Sequence, residues 1–200
     1  MAWTAPRTWL SGEIYTSSHF NVHVRDNLLE TMPAKASAAA QLFQATGANA
    51  IETRLPVYKS ADQVWNNTTT FSDATGMSWT VGASDYWMFW GAFYFDYGAG
   101  RLKYQWTVPA SYTLSWSIIE TGNGASASGA IAMNHNWANQ AGVITPGQAD
   151  PNIAQFGWVI GFAYGGGTGG TLQMQAAQLA ATVGDSTLRQ GSFLVPLRLR

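Results

Sequence analysis

The chain has 200 residues, no cysteine, a net charge of −1 and a charged fraction of 10%, against about 25% in ordinary globular domains. These values exclude a disulfide framework, thiolate chemistry and the basic field that draws nucleic acid. No apolar run reaches the roughly 18 residues of a membrane-spanning helix. Between Tyr104 and Leu188 there is no Lys or Arg, and the only acids are Glu120, Asp150 and Asp185. A surface that poor in charge is dressed in Ser, Thr, Asn, Gln and Gly, or is buried against another chain. The N-terminus lacks the apolar core of a signal peptide, so synthesis and assembly in a cytoplasm are expected.

Residues 1–32 carry the helix signal. Thr16, Ser17 or Ser18 can cap it, and Phe20, Val24 and Leu28 then recur every four residues until Pro33 stops it. His19 and His23 stand at i, i+4 on this helix with Asp26 and Glu30 beyond them. That spacing suits a metal, but no downstream cluster supplies a third ligand, so the residues read as a polar helix face. Residues 33–56, rich in Ala, Thr and Gly, read as a linker or extended stem with a short strand at Gln41–Gln44.

From Val57 to residue 200 the pattern is strand after strand. "MSWTV" precedes a turn at Gly82–Asp85. "YWMFWGAFYFDY", residues 86–97, is apolar on both faces: Tyr86, Met88, Trp90, Ala92 and Tyr94 on one, Trp87, Phe89, Gly91, Phe93 and Phe95 on the other. In "RLKYQWTV", Leu102, Tyr104, Trp106 and Val108 oppose Arg101, Lys103, Gln105 and Thr107. In "SYTLSWSII", Tyr112, Leu114, Trp116 and Ile118 oppose Ser111, Thr113, Ser115 and Ser117. "FGWVIGFAY" alternates large residues (Phe156, Trp158, Ile160, Phe162, Tyr164) with small ones (Gly157, Val159, Gly161, Ala163). "TLQMQAAQLA" and "SFLVPLRLR" complete the series. Many short strands with turn-rich spacing predict a β-sandwich or barrel. Residues 57–200 offer no helix to cover the second face of 86–97. A symmetric oligomer covers it most economically, and the long loop 121–153 is the alternative.

Two segments resemble parts of known virion proteins. "TWLSGEIYTSSHFNVHVRDNLLET" resembles an N-terminal segment common in tailed-phage virion proteins, at Trp9, Gly12, Glu13, Thr16, Asn21, Val24, Arg25, Asp26 and Asn27, with Phe20 where a non-aromatic residue is usual. Residues 33–56 resemble the stem that often follows. The C-terminal "GGTLQMQAAQLAATVGDSTLRQGSFLVPLRLR" is similar to the end of their β-sandwich, with the Ala-Gln pair at Ala177–Gln178 and the Gly-Ser pair at Gly191–Ser192. Ala176 replaces the usual Trp or Phe, and Pro196 interrupts the last strand.

This resemblance implies a mainly β chain: an antiparallel jelly-roll β-sandwich head over 57–200, preceded by a short N-terminal helix and an extended stem. It implies a homotrimer similar to tumour-necrosis-factor-like trimers, which buries an aromatic-rich sheet face around its threefold axis. Trp87, Phe89, Phe93 and Phe95 are then trimer-interface or core residues. Trp9, Gly12, Asn21, Arg25, Asp26 and Asn27 anchor the chain to a major capsid or tail protein of the virion. A capsid decoration, head fibre or tail fibre fits, located in the virion, with no catalytic residue, metal or cofactor and no nucleic-acid or membrane partner.

Other motifs read as structure. "GGGTGG", residues 165–170, lacks the Lys-Ser/Thr and helix of a phosphate-binding loop and reads as a turn. Asp62, Asp73, Asp85, Asp96 and Glu120 mostly flank turns, where Asp caps backbone groups. No G-x-S-x-G elbow accompanies His135. The second functional expectation is a carbohydrate-binding module for host adsorption. Trp65 in "QVWNNTT" and Trp137 in "NHNWANQ" lie in Asn-rich surroundings and are its candidate glycan contacts.

Overall fold

Alternating side chains become strands in the computed structural model, which describes residues 11–14, 16–21, 36–39, 41–47, 50–96, 98–120, 132–134 and 154–199. The chain divides into two compact units, Met1–Pro56 and Val57–Arg200.

In the first unit, helix α1 spans Ser17–Phe20. Thr16 is its N-cap, and its Oγ1 accepts the His19 backbone N–H at 3.2 Å. Asn21 is the C-cap. Val24, Leu28 and Pro33, expected to continue and stop this helix, lie outside the described residues. The stem differs from the expected extended segment with one short strand. Strand β1 (Leu42–Gly47) folds back on β2 (Ala50–Arg54) as an antiparallel hairpin, pairing Phe43 with Thr53 and Gln44 with Glu52. An ion pair of 2.6 Å joins Arg54 to Glu52 within β2.

The second unit is a jelly-roll β-sandwich. Its strands are β3 (Val57–Tyr58), β4 (Gln63–Trp65), β5 (Ser72–Val81), β6 (Tyr86–Asp96), β7 (Leu102–Thr107), β8 (Thr113–Glu120), β9 (Ala132–Asn134), β10 (Ala154–Tyr164), β11 (Gly170–Gln178), β12 (Ser186–Leu188) and β13 (Phe193–Arg198). One sheet runs β3-β13-β6-β10-β8-β9, with β12 bridging β4 and β6; the other runs β5-β11-β7. The chain crosses between sheets at β5, β6, β7 and β8. Strands distant in sequence lie side by side: β13 separates β3 from β6, and β11 separates β5 from β7. That winding is what a jelly roll means. Every pairing is antiparallel.

Pro196 does not interrupt the last strand. It pairs opposite Phe89, and β13 runs through it. The reason is position: β3 pairs with β13 only at Phe193 and Leu194, so beyond Leu194 one side of β13 is a sheet edge, where proline is tolerated.

The core between the sheets is aromatic. Trp87, Phe89, Phe93 and Phe95 of β6 are buried, as are Tyr104 and Trp106 of β7 and Tyr112, Leu114, Trp116 and Ile118 along β8 and its approach. Trp79 packs edge-on to Trp106 at 5.5 Å and 73°, and Trp106 to Trp116 at 6.1 Å and 81°. Phe89 sits 5.2 Å from both Trp79 and Trp106. Tilted and edge-to-face rings at these separations are the arrangement their quadrupoles favour.

These rings decide how β10 lies. Gly161 pairs with Phe89 on one side and Trp116 on the other. A Cβ on Gly161 would stand 2.1 Å from the Phe89 ring, so alongside Phe89 and Phe93 the inner face of β10 carries the small residues Gly157, Val159, Gly161 and Ala163, with Gln155 buried at its start opposite Phe95. Its large residues point outward. Gly161→Ala should therefore lower stability by about 1–3 kcal/mol through overpacking, read as a drop in the thermal unfolding midpoint. Gly167→Ala, where an added Cβ meets nothing within 4 Å, should leave the midpoint unchanged. Equal effects at the two positions would contradict the packing described.

Candidate functional site

The outward residues of β6, β10 and β13 form one continuous apolar face. The register places Tyr86 beside Tyr164, Met88 beside Phe162, Trp90 beside Ile160, Ala92 beside Trp158 and Tyr94 beside Phe156. On the other flank of β6, Phe193, Val195 and Leu197 pair with Ala92, Trp90 and Met88. The face continues to Tyr58 opposite Phe193. Its rings touch across strands: Tyr86 and Tyr164 stack at 6.1 Å and 16°, Tyr94 meets Phe156 at 5.4 Å, and Trp90 meets Phe193 edge-on at 6.3 Å. Trp158 is 50% exposed, Tyr164 47% and Trp90 39%.

Hydroxyl residues border this face. Thr113, Ser115 and Ser117 of β8 pair with Tyr164, Phe162 and Ile160. No charged residue occupies the outward positions from Tyr86 to Tyr94, Phe156 to Tyr164, Thr113 to Ile119 or Phe193 to Leu197. The outer face of the β5-β11-β7 sheet is the opposite in chemistry. It carries Lys103, Gln105, Thr107, Thr171, Gln173, Gln175, Ser78 and Thr80. Gln105 donates to Gln175 Oε1 at 2.7 Å, Gln175 donates to Asp73 Oδ1 at 2.8 Å, and the Lys103 ammonium lies 4.6 Å over the Phe71 ring. One sheet is thus built to face water. The other exposes a contiguous aromatic patch of the kind that marks interaction sites on soluble proteins.

Polar clamps hold both ends of the aromatic face. At one end Asp85 is buried; its Oδ2 accepts the Gly82 N–H at 2.7 Å and the Trp87 indole N–H at 3.3 Å, and its Oδ1 pairs with Arg198 at 2.9 Å. The Gly165 N–H donates to the Asp85 carbonyl at 3.1 Å, and the Tyr112 hydroxyl donates to the Gly82 carbonyl. The starts of β6 and β8 and the ends of β10 and β13 are tied together there. At the other end Arg189 pairs with Asp96, and at 3.6 Å with Asp62. "GGGTGG" is the turn between β10 and β11. The Gly166 N–H donates to the Ser111 carbonyl at 3.0 Å, and a Cβ on Gly165 would meet the Tyr112 ring at 2.1 Å. It is a packed turn.

The residues singled out from the sequence fall in several places. Trp87, Phe89, Phe93 and Phe95 are core side chains, at most 1% exposed. The exposed face of β6 is the other one. Trp65 is 3% exposed and its indole N–H donates to Ser72 Oγ at 2.8 Å, so its ring is packed inside the sandwich and offers no sugar a stacking surface. Gly12 takes φ +82°, a left-handed conformation that suits glycine. Trp9, His23, Arg25, Asp26, Asn27, Glu30, His135 and Trp137 lie outside the described residues, as does the Glu120 side chain. Among the described residues no group of His, Asp and Glu is arranged to hold a metal ion. The exposed residues Trp158, Ile160, Phe162 and Tyr164 had a sequence signal: the glycines at 157 and 161 mark which face of β10 has no room.

No family model matches the chain, and no curated protein matches it. Among solved structures it is similar to "Structure of infectious bursal disease virus Gx strain", at 12% identity and a TM-score of 0.17 over 76% of this chain and 42% of that one. It is also similar to "Crystal structure of infectious bursal disease virus VP2 subviral particle", at 13% identity and a TM-score of 0.19 over 73% of this chain and 40% of that one. The chain thus spans about two-fifths of the length of each. The sandwich assignment rests on the strand order.

Burial, with the charge of Asp85 second, pushes the Tyr112 phenol above its ordinary value of 10.0. A folded pKa above the unfolded one contributes stability that is complete below pH 10 and is lost as pH rises through the folded value. Tyr112→Phe should cost about 1 kcal/mol at neutral pH from the lost hydrogen bond. It should also flatten the fall in unfolding free energy above pH 10, measured by urea denaturation across pH 8–11.

Proposed function

We propose that the chain is a non-enzymatic virion structural protein. Its jelly-roll heads associate as a homotrimer through the outer face of β13, β6, β10 and β8, and residues 1–32 attach it to a major capsid or tail protein. The observation that carries this reading is the contrast between the two outer sheet faces, one polar and hydrogen-bonded, the other aromatic and free of charge. Leaving Trp158, Ile160, Phe162 and Tyr164 half-exposed forgoes about half of the roughly 1.5–3 kcal/mol that full burial of a large apolar side chain gives. A second copy is the fitting cover, because an uncharged face meets its own image without like-charge repulsion. The threefold number and the virion setting come from the resemblance of the N-terminal segment and the C-terminal strands to tailed-phage proteins. The projecting role belongs to residues 57–200, a unit with its own core.

Light scattering on the purified full-length chain should give about three times the 21.6 kDa chain mass. The double substitution Trp158→Asp, Phe162→Asp should reduce it to a single chain while the far-ultraviolet circular dichroism stays that of a β-protein. A wild-type monomer, or a trimer indifferent to both charges, would overturn the interface. Deleting residues 1–32 should abolish incorporation into particles and leave the head folded. Normal incorporation of the truncated chain would remove the anchoring role.

A further inference from the structure

The aromatic face is ordered in rows that cross it at right angles to the strands. Leu197 pairs with Met88, Met88 with Phe162 and Phe162 with Ser115. One level along, Val195, Trp90, Ile160 and Ser117 form the next row. Both rows run from border to border. β3 pairs with β13 only at Phe193 and Leu194, and β9 pairs with β8 only from Ile118 to Glu120. Among the described residues, Val195 and Leu197 therefore stand at one open edge of the sheet and Ser115 and Ser117 at the other.

The two borders differ in relief. Ile160 and Phe162 of β10 stand up into solvent, 43% and 42% exposed, and the small side chains of Ser117 and Ser115 beside them leave a step. At the opposite border Val195 is 7% exposed against 39% for Trp90 next to it, so this border is low and apolar. Charge gives the face a direction. The pairs Asp85–Arg198 and Asp96–Arg189 close the two ends of the strands, and the uncharged rows lie between them. A rotation axis parallel to the strands keeps every row at its own level, so rows meet rows and charged ends stay at the outside. An axis across the strands would lay a charged end over a neighbour's rings and desolvate it there, which is costly.

A threefold contact is heterologous: it sets one patch of a subunit against a different patch of the next. We propose that the trimer axis runs along β6 and β10, and that the β13 border of each copy seats in the Ser115–Ser117 step of the next, row against matching row. The occupant of the step is a second copy of this chain, one third of a turn away. Leu197 of one copy then lies against the Ser115 and Phe162 side of its neighbour, and Val195 against the Ser117 and Ile160 side. The inference rests on the homotrimer reading and adds to it the direction of the axis and the residues that meet.

The chain has no cysteine, so introduced thiols report contacts without background. Within one copy Leu197 and Ser115 are three strand spacings apart, about 14 Å, and a bismaleimide shorter than that cannot join them. In the full-length protein carrying Leu197→Cys and Ser115→Cys, such a reagent should give a covalent trimer on a denaturing gel. Each single variant should stay at the mass of one chain. Tyr58→Cys with Ser115→Cys should stay there too, because Tyr58 lies in the row of Phe193, about 13 Å along the strand from the row of Leu197. Should the first pair disturb assembly, Val195→Cys with Ser117→Cys, one row along, should give the same covalent trimer.

Light scattering before linking separates the two claims. A trimer mass without the row-matched link, a link equally strong in the off-row pair or in the single variants, or a product that stops at two chains would overturn the axis and leave the trimer standing. A wild-type monomer would remove both.

Discussion

The fixed gap between the two sheets, filled from one side by Trp87, Phe89, Phe93 and Phe95, governs the rest of this structure. Close-packed interiors have no room for a second layer of large side chains at the same level. Alongside Phe89 and Phe93, β10 therefore presents small residues inward, Gly157, Val159, Gly161 and Ala163. Because a strand alternates strictly, its large residues Phe156, Trp158, Ile160, Phe162 and Tyr164 then have no choice but to face out. The aromatic outer face follows from the packing of the inner one.

That constraint also gives the charge poverty of the chain a location. The long stretch without Lys or Arg, between Tyr104 and Leu188, includes β8, β10 and β11. On β11 the missing charges are replaced by Gln and Thr on a face hydrogen-bonded to its neighbours. On β8 they are replaced by Ser and Thr, and on β10 by apolar rings. The same composition therefore serves two purposes on two sheets. The charges that remain near the aromatic face stand at its ends, Asp85 with Arg198 and Asp96 with Arg189. There they tie strand termini together and leave the middle uncharged.

Much of the fold was legible because alternation is a local property. β7 and β8 bury the residues their patterns select: Leu102, Tyr104 and Trp106 on one, Leu114, Trp116 and Ile118 on the other. The turn at residues 165–170 could be told from a phosphate loop for want of a lysine and a helix. The stem was less legible. The hairpin of β1 and β2 depends on a pairing between segments with no strong apolar alternation of their own. Trp65 misled for a similar reason. Its Asn-rich neighbours suggested a surface loop, whereas pairing of β4 with β12 turns the indole inward onto Ser72. Pro196 looked like a strand breaker because the sequence does not say which strand edges go unpaired.

The sequence by itself determined that the chain beyond Val57 is a run of short strands suited to a sandwich or a barrel, that residues 86–97 are apolar on both faces, and that the chain carries too little charge for an ordinary surface. These are consequences of composition and of a period of two, which each segment carries internally. Only the tertiary structure decided which face of β6 and of β10 is the inside. A period of two has no sign, and an apolar face can serve equally as core or as contact. The sign is set when strands far apart in sequence are brought into register and the volume of one side chain excludes another, as Phe89 excludes anything larger than a glycine at 161.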